Sequence, residues 1–574
     1  MEEKNFIVFM ILTMMVIMAW FMFFGPQPQP PHLPPETEMT GDTVGPAEIK
    51  TPTPAAEIAE ARPSPEPGVE PELEPETKET EAQTLILTTD VYEVEFTSRG
   101  AAAKSWKLLE YPREKCFPIR VDVTWPPLVR DPECDESPVD LIESDFADNE
   151  LPLMSQITVD RYLVPSNHHW EFETPGDVTL AEGDTVAVVS LGVTLPDGRR
   201  LRKSYHFRPS RYDVELLIKL EGERPERART ELSLLYRHDP RRHDGIPRWN
   251  FNGAVVYGTR VDHIKPEAPL KTDLVEAKNL DWAGFTGDYF LSAILSEKGS
   301  GLYFLVEHLD EGKPRQKSDL IDLRGTVKLE TGPEGLATGE LARLTLFMGP
   351  KDRRTLGEVR ETLMESIDYG MLKVLVLPLI EGLVYVNRLF NNYGISIVIL
   401  TVIIRMALFP LTRKSQVAMK QMQKLQPEIQ KLKEQYPDDR TKQQTEMQAL
   451  WKRHKINPAM GCLPILLQFP VFFAFYKALL ISIELRHAPF FGWIIDLSCR
   501  DPLYVWPVLM GATQLITQKM TPTQMDKTQQ TIFLAMPIVF TYILRNFPAG
   551  LLVYWTIQNM VGIGQQIYIN RQPD

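Results

Sequence analysis

Gly394-Ile395-Ser396-Ile397-Val398-Ile399-Leu400-Thr401-Val402-Ile403-Ile404-Arg405-Met406-Ala407-Leu408-Phe409-Pro410-Leu411-Thr412 is the stretch on which the reading of the whole chain turns. From Gly394 to Leu411 it is long and apolar enough to cross a bilayer, which takes about 20 residues. One full charge interrupts it. An arginine at mid-bilayer costs about 2.5–3.5 kcal/mol on insertion scales, so Arg405 is read as facing a wet cavity. The alternative is an arginine that snorkels to the nearer membrane edge.

Working outward, further apolar runs occupy Ala459–Ile483, Leu503–Gln518, Thr531–Leu544 and Ala549–Ile569. Near the amino terminus Phe6 to Phe24 is broken only by Thr13 and lacks a small-residue cleavage site, so residues 1–25 read as an uncleaved signal anchor. Met371–Phe390 is also apolar, but Lys373, Glu381, Asn387 and Arg388 share one arc of its helical projection, and Pro378 interrupts it. That pattern predicts an amphipathic helix over 371–390 lying in the interface. Charge then orients the chain. Between Arg413 and Lys455 there are 11 Lys and Arg against 5 Asp and Glu, which places that loop in the cytoplasm. With 371–390 interfacial, a single crossing puts the large acidic region on the other side. Six transmembrane helices with both termini cytoplasmic satisfy every constraint.

The 574 residues carry a net charge of −14, which argues against nucleic acid as the main partner, and no specific DNA binding is expected. Residues 26–83 are crowded with Pro, Glu and Thr and predict a disordered tether. From 84 to 350 short alternating segments such as Val91–Phe96, Tyr212–Leu216 and Leu344–Met348 are separated by turns such as Pro196-Asp197-Gly198. One large all-β sandwich domain is predicted there, outside the membrane. Its His168, His169, His206, His238, Asp239, His243 and Asp244 read as loop side chains solvated at the surface, since no G-x-S-x-G elbow or H-E-x-x-H helix accompanies them. Cys116, Cys134, Cys462 and Cys499 include no C-x-x-C pair, so no metal site is expected. Cys116 and Cys134 are either a disulfide or two separate thiols. No phosphate-binding loop appears, and neither catalytic residues nor cofactors are expected.

Residues 412–458 form the basic loop. Ala418, Met422, Leu425, Ile429, Leu432 and Tyr436 alternate steps of four and three, an a/d seam. After Pro437-Asp438-Asp439 a second helix offers Met447, Leu450, Trp451 and His454, which predicts an antiparallel coiled-coil hairpin. Pro427 should kink its first arm. Outward Lys431 and Lys433 suit transient contact with a ribosome or an emerging chain.

Other polar side chains sit in the apolar runs: Thr401, Gln468, the Thr513-Gln514-Thr517 face, and Thr556 with Gln558 and Asn559. Each could be a helix-packing hydrogen bond; together with Arg405 they suggest a hydrophilic groove. At this point the residues resemble a family. The run from Gly394 through Arg405 to Pro410-Leu411-Thr412 is similar to the first core helix of the YidC/Oxa membrane insertases. Leu425-Gln426-Pro427, Asn457-Pro458, Gly461-Cys462-Leu463-Pro464 and Gln468-Phe469-Pro470 follow in order. Asp501-Pro502, Gln518-Lys519-Met520, Met536-Pro537 and Phe547-Pro548-Ala549-Gly550-Leu551 complete the set.

The resemblance implies a five-helix insertase core over 394–569, built around a groove open to the cytoplasm and to lipid. The large β domain looks like the Gram-negative subtype, whose periplasmic domain is a β-supersandwich. By position, Arg405 and Thr401 match the groove arginine and its neighbour, and Tyr554-Trp555 the groove aromatics, with Gln468 and Gln514 among its polar lining. Phe472, with Pro470 and Phe547, matches the greasy slide for client segments. Nascent membrane proteins, the lipid bilayer, the Sec translocon and, transiently, the ribosome are the implied partners, in the bacterial inner membrane. Lys477, inside an apolar run, departs from this picture and should snorkel or mark a helix end. Two rivals are a secondary transporter or channel, which predicts inverted repeats and an acidic partner for Arg405, and a membrane-anchored periplasmic carbohydrate-acting protein.

Overall fold

A computed structural model describes residues 82–114, 120–121, 128–129, 135–142, 150–180, 183–238, 252–264, 275–296, 302–309, 321–437, 439–454, 463–520 and 527–571. The signal anchor, most of the 26–83 tether, and Cys116, Cys134 and Cys462 lie outside them. Two compact units emerge, one of residues 424–454 and one holding the rest of the described chain.

The β region begins at Thr84 and ends at Pro350. A nine-stranded sheet is its backbone, accompanied by sheets of six and five strands. Pro196-Asp197-Gly198 turns as its composition predicts: Gly198 has φ +88°, and Ala187–Thr194 pairs antiparallel with Arg200–Phe207. Alternating side chains put Tyr205 against Phe96 of the five-stranded sheet, ring centroids 4.8 Å apart. Farther along, Phe285 stacks on Tyr236 of the six-stranded sheet at 5.3 Å. Lys203 sits fully buried where the sheets meet, donating to the Ala101 and Leu153 carbonyls and to Ser155 Oγ at 2.6–2.9 Å. With no carboxylate among these acceptors, burial holds its ammonium well below the usual lysine range.

After the short helix Arg353–Val359, seven longer helices follow outside the 424–454 unit among the described residues. Helix α1 spans Lys373–Phe390, α2 Tyr393–Ala407 and α3 Phe409–Lys424. Val376, Leu379, Ile380, Leu383 and Val386 form the buried stripe of α1, while Lys373, Glu381 and Arg388 are exposed, as the polar arc predicts. Asn392 caps α2 by accepting from Ile395 N at 3.0 Å, and its Nδ2 donates to Phe490 O. The expected crossing to Leu411 instead ends at Ala407, and the chain bends by 60° into α3. Pro410 lacks an N–H and is tolerated in the first turn of a helix, so a new helix starts there.

The remaining runs fold where the sequence puts them. The 424–454 unit contributes α4 (Gln426–Gln435) and α5 (Arg440–Arg453), followed by α6 (Leu463–Ile481), α7 (Val505–Met520), α8 (Lys527–Leu544) and α9 (Ala549–Arg571). Among the described residues no single helix is both long and apolar enough to cross a membrane alone, although the bent pair α2–α3 qualifies together. The 16 residues of α7 reach only about 24 Å of a hydrocarbon layer near 30 Å. Helix α9 is longer but carries several amides.

In the small unit, Leu425, Ile429, Met447 and Leu450 are buried together, with Leu432 and Trp451 against them. His454 Nε2 lies 3.9 Å from Glu428 Oε2, so the end of α5 meets the start of α4 and the pair is antiparallel. Pro427 lies in the first turn of α4, where the chain breaks after Lys424. Ala418 and Met422, of the same expected seam, lie on α3 and are half-buried.

The segment 482–503 joins α6 to α7 and docks on the β domain. Arg486 lies over the rings of Tyr289 and Phe290, 5.5 and 5.3 Å from their centroids. Its Nη2 donates to the carbonyls of Pro112 and Arg113. Lys477 lies four residues before the end of its helix, with its Nζ 3.4 Å from Asp368 Oδ2 in the segment leading to α1.

Candidate functional site: the polar interior of the helical core

Helix α9 packs against α2, α6 and α7. Its buried surface includes Thr556, Gln558, Asn559, Gln565 and Gln566, an unusual polar content for an apolar helix. Arg405, in the last turn of α2, lies across Gly562. A Cβ at that glycine would stand 2.5 Å from Arg405 Nη2, so a side chain there would displace the guanidinium. Gln565 Nε2 reaches the Arg405 carbonyl at 3.4 Å. Two turns before Gly562 on α9, Tyr554 is buried. Its ring stacks on Phe475, centroids 4.2 Å apart.

Five buried polar atoms of this interior have no hydrogen-bond partner among the described residues: Arg405 Nε, Tyr554 Oη, Gln416 Oε1, Gln518 Oε1 and Gln565 Oε1. They come from α2, α3, α7 and α9. Each such atom costs about 1–3 kcal/mol in a dry core. That cost is relieved where water reaches the groups.

The residues singled out in the sequence divide. Arg405 of α2 lies against α9 at Gly562, two turns along that helix from the buried Tyr554. Trp555, the next residue, points elsewhere, since neighbours on a helix diverge by about 100°: its Nε1 donates to Gln514 Oε1 at 3.2 Å and its ring meets Phe472 edge-on at 4.9 Å. Thr401 is buried, but its hydroxyl donates to Ile397 O of its own helix. Thr513, Thr517 and Thr556 bond back likewise, although Asn559 Nδ2 also reaches Thr513 Oγ1 across the helices. Gln468 and Pro470 are half-buried on α6, near Phe472. Phe547 lies apart from these, packing on Tyr476 at 5.5 Å. Lys431 is exposed on the hairpin.

Gly562, Gln565, Gln416 and Phe475 went unnoticed in the sequence. The signal was the spacing on α9, where 554, 558, 562 and 565 step by four, four and three along one face.

Relatives identify the build. A family described as 60Kd inner membrane protein matches residues 385–574, and the YidC periplasmic domain matches residues 131–381. The class is therefore an inner-membrane protein with a large periplasmic domain. The insertase YidC of Geotalea daltonii is 32% identical over 99% of both chains, and that of Syntrophus aciditrophicus 32% identical over 99% of this chain and 100% of its own. The Geobacter sulfurreducens insertase is 46% identical over 50% of this chain and 53% of its own. A solved YidC insertase aligns with TM-score 0.35 at 17% identity, over 84% of this chain and 91% of that one, too slight a likeness to add weight. The chain belongs to the YidC family of membrane protein insertases.

Proposed function

We propose that this protein passes hydrophobic segments of nascent membrane proteins into the inner membrane through a hydrophilic groove lined by Arg405, Tyr554, Gln558 and Gln565. The observation that carries this reading is the set of buried, unpartnered polar atoms around α9. An incoming tail brings polar groups that cannot cross hydrocarbon unaided, and a wet cationic groove shortens their path. The apolar segment then moves sideways along Phe472 and Pro470 into lipid, where its burial drives the step. Phe547 would extend that slide toward the β-domain side. Six crossings with both termini cytoplasmic, α1 in the interface, and clients handled alone or with the Sec translocon complete the proposal. Its test is insertion of a short single-span client into liposomes containing only the purified protein. Insertion no better than into empty liposomes would refute it.

The α4–α5 pair is proposed as a cytoplasmic coiled-coil hairpin that meets the ribosome or the emerging chain. Replacing Leu425 and Ile429 with Asn removes burial worth about 1.5–3 kcal/mol each, so the hairpin should become protease-sensitive. Charge reversal at Lys431 and Lys433 should leave it protease-resistant yet reduce crosslinking to stalled nascent chains. The loss should be larger at low salt, where screening is weak. If both variants crosslink and insert at the wild-type rate, the loop is only a connector.

A further inference from the structure

Between α7 and α8 lies an open groove of about 480 Å³ that the insertion pathway does not use. Its walls are apolar, formed by Val508, Ala512 and Leu515 of α7 and Ile538 of α8. Its floor is a close approach of the two helices at Gly511, where a Cβ would overlap Thr541 Oγ1. Charge is confined to one end among the described residues. There Arg545 lies over the ring of Tyr542, 4.3 Å from its centroid, and Tyr504 closes the groove. Among the described residues no carboxylate lines the groove.

The polar end faces the β domain. Arg545 directly follows α8, and the adjoining Pro548 bridges to Arg500 in the segment 482–503. That is the segment whose Arg486 is bonded to the β domain. Tyrosines at this level match the aromatic belt at the edge of a bilayer. An occupant must therefore have a long apolar body and an anionic head, with the head at the periplasmic surface.

We propose that this groove binds one anionic phospholipid of the periplasmic leaflet, an acyl chain along Val508, Ala512 and Ile538 and its phosphate on Arg545. A zwitterionic ethanolamine head fits less well, because its ammonium would lie near Arg545 with no carboxylate to receive it. The proposal relies on the membrane placement of α7 and α8, but not on the groove around Arg405.

The test uses the full-length protein in detergent, offered phosphatidylglycerol and phosphatidylethanolamine of identical chains in competition, with retained lipid read by native mass spectrometry. Wild type should keep phosphatidylglycerol preferentially. Arg545→Gln should lower that retention about tenfold, the effect of one lost charge-assisted hydrogen bond. Ala512→Trp, at an exposed position, fills the groove and should release the lipid although Arg545 is intact. Both variants should melt like wild type. Equal retention of phosphatidylglycerol by wild type and either variant would overturn the site. A wild type that carries neither lipid would overturn the membrane placement as well.

Discussion

Arg405→Ala is expected to lose most insertion of clients with acidic tails, while Arg405→Lys keeps much of it. A carboxylate about 4 Å from the guanidinium gains about 1 kcal/mol in water and about 4 kcal/mol at an effective dielectric of 20. A hydrated groove falls between these, which corresponds to a loss of about tenfold or more when the charge is removed. Lysine restores the charge without the planar fork, so its partial success would show that charge in water matters rather than a fixed bidentate contact. Gly562→Leu should act like Arg405→Ala, because its side chain occupies the space of the guanidinium. Liposome insertion of one client carrying either an acidic or a neutral tail is the measurement. Equal activity of Arg405→Ala and wild type on the acidic tail would remove the arginine from the mechanism.

Asp501→Ala should be the most destabilising single change in the segment that launches α7. Asp501 is fully buried, and its carboxylate accepts from Trp493 Nε1, Leu503 N and Trp506 N at 2.7–3.0 Å. Alanine leaves two backbone N–H groups and an indole N–H without acceptors, at about 1–3 kcal/mol each. Asp501→Asn keeps a single accepting oxygen and turns an NH2 toward one of the donors, so it should fall between the two. The midpoint of thermal aggregation of the purified protein should drop in the order wild type, Asn, Ala. An alanine variant as stable as wild type would show that water replaces the carboxylate.

Strands and helices were legible because both leave a period in the sequence. Alternation over Tyr212–Leu216 marked the strand Asp213–Glu221, and Pro196-Asp197-Gly198 marked the turn between Ala187–Thr194 and Arg200–Phe207 through a glycine that accepts φ +88°. The bend at Leu408 was less legible, since apolar residues continue through it and hydropathy does not record backbone direction. The partner of Lys477 was not legible, because Asp368 lies 109 residues away. Arg405 stood out as a charge in oil. Gly562 and Gln565 did not, because an uncharged residue in an apolar helix gains meaning only once its facing neighbour is known. Tyr554-Trp555 read as one feature, yet helix geometry sends the two rings to different neighbours.

The wet interior around α9 can be probed with two cysteines placed two residues apart. In a background lacking the four native cysteines, Gln558→Cys faces inward and Met560→Cys faces outward, where Met560 is 55% exposed. Maleimide needs thiolate, which forms in water and scarcely in hydrocarbon. In membranes, a polar maleimide supplied from the cytoplasmic side should label Gln558→Cys and leave Met560→Cys unmodified. Labelling of Met560→Cys alone, or of neither, would contradict a hydrophilic groove in the helical core.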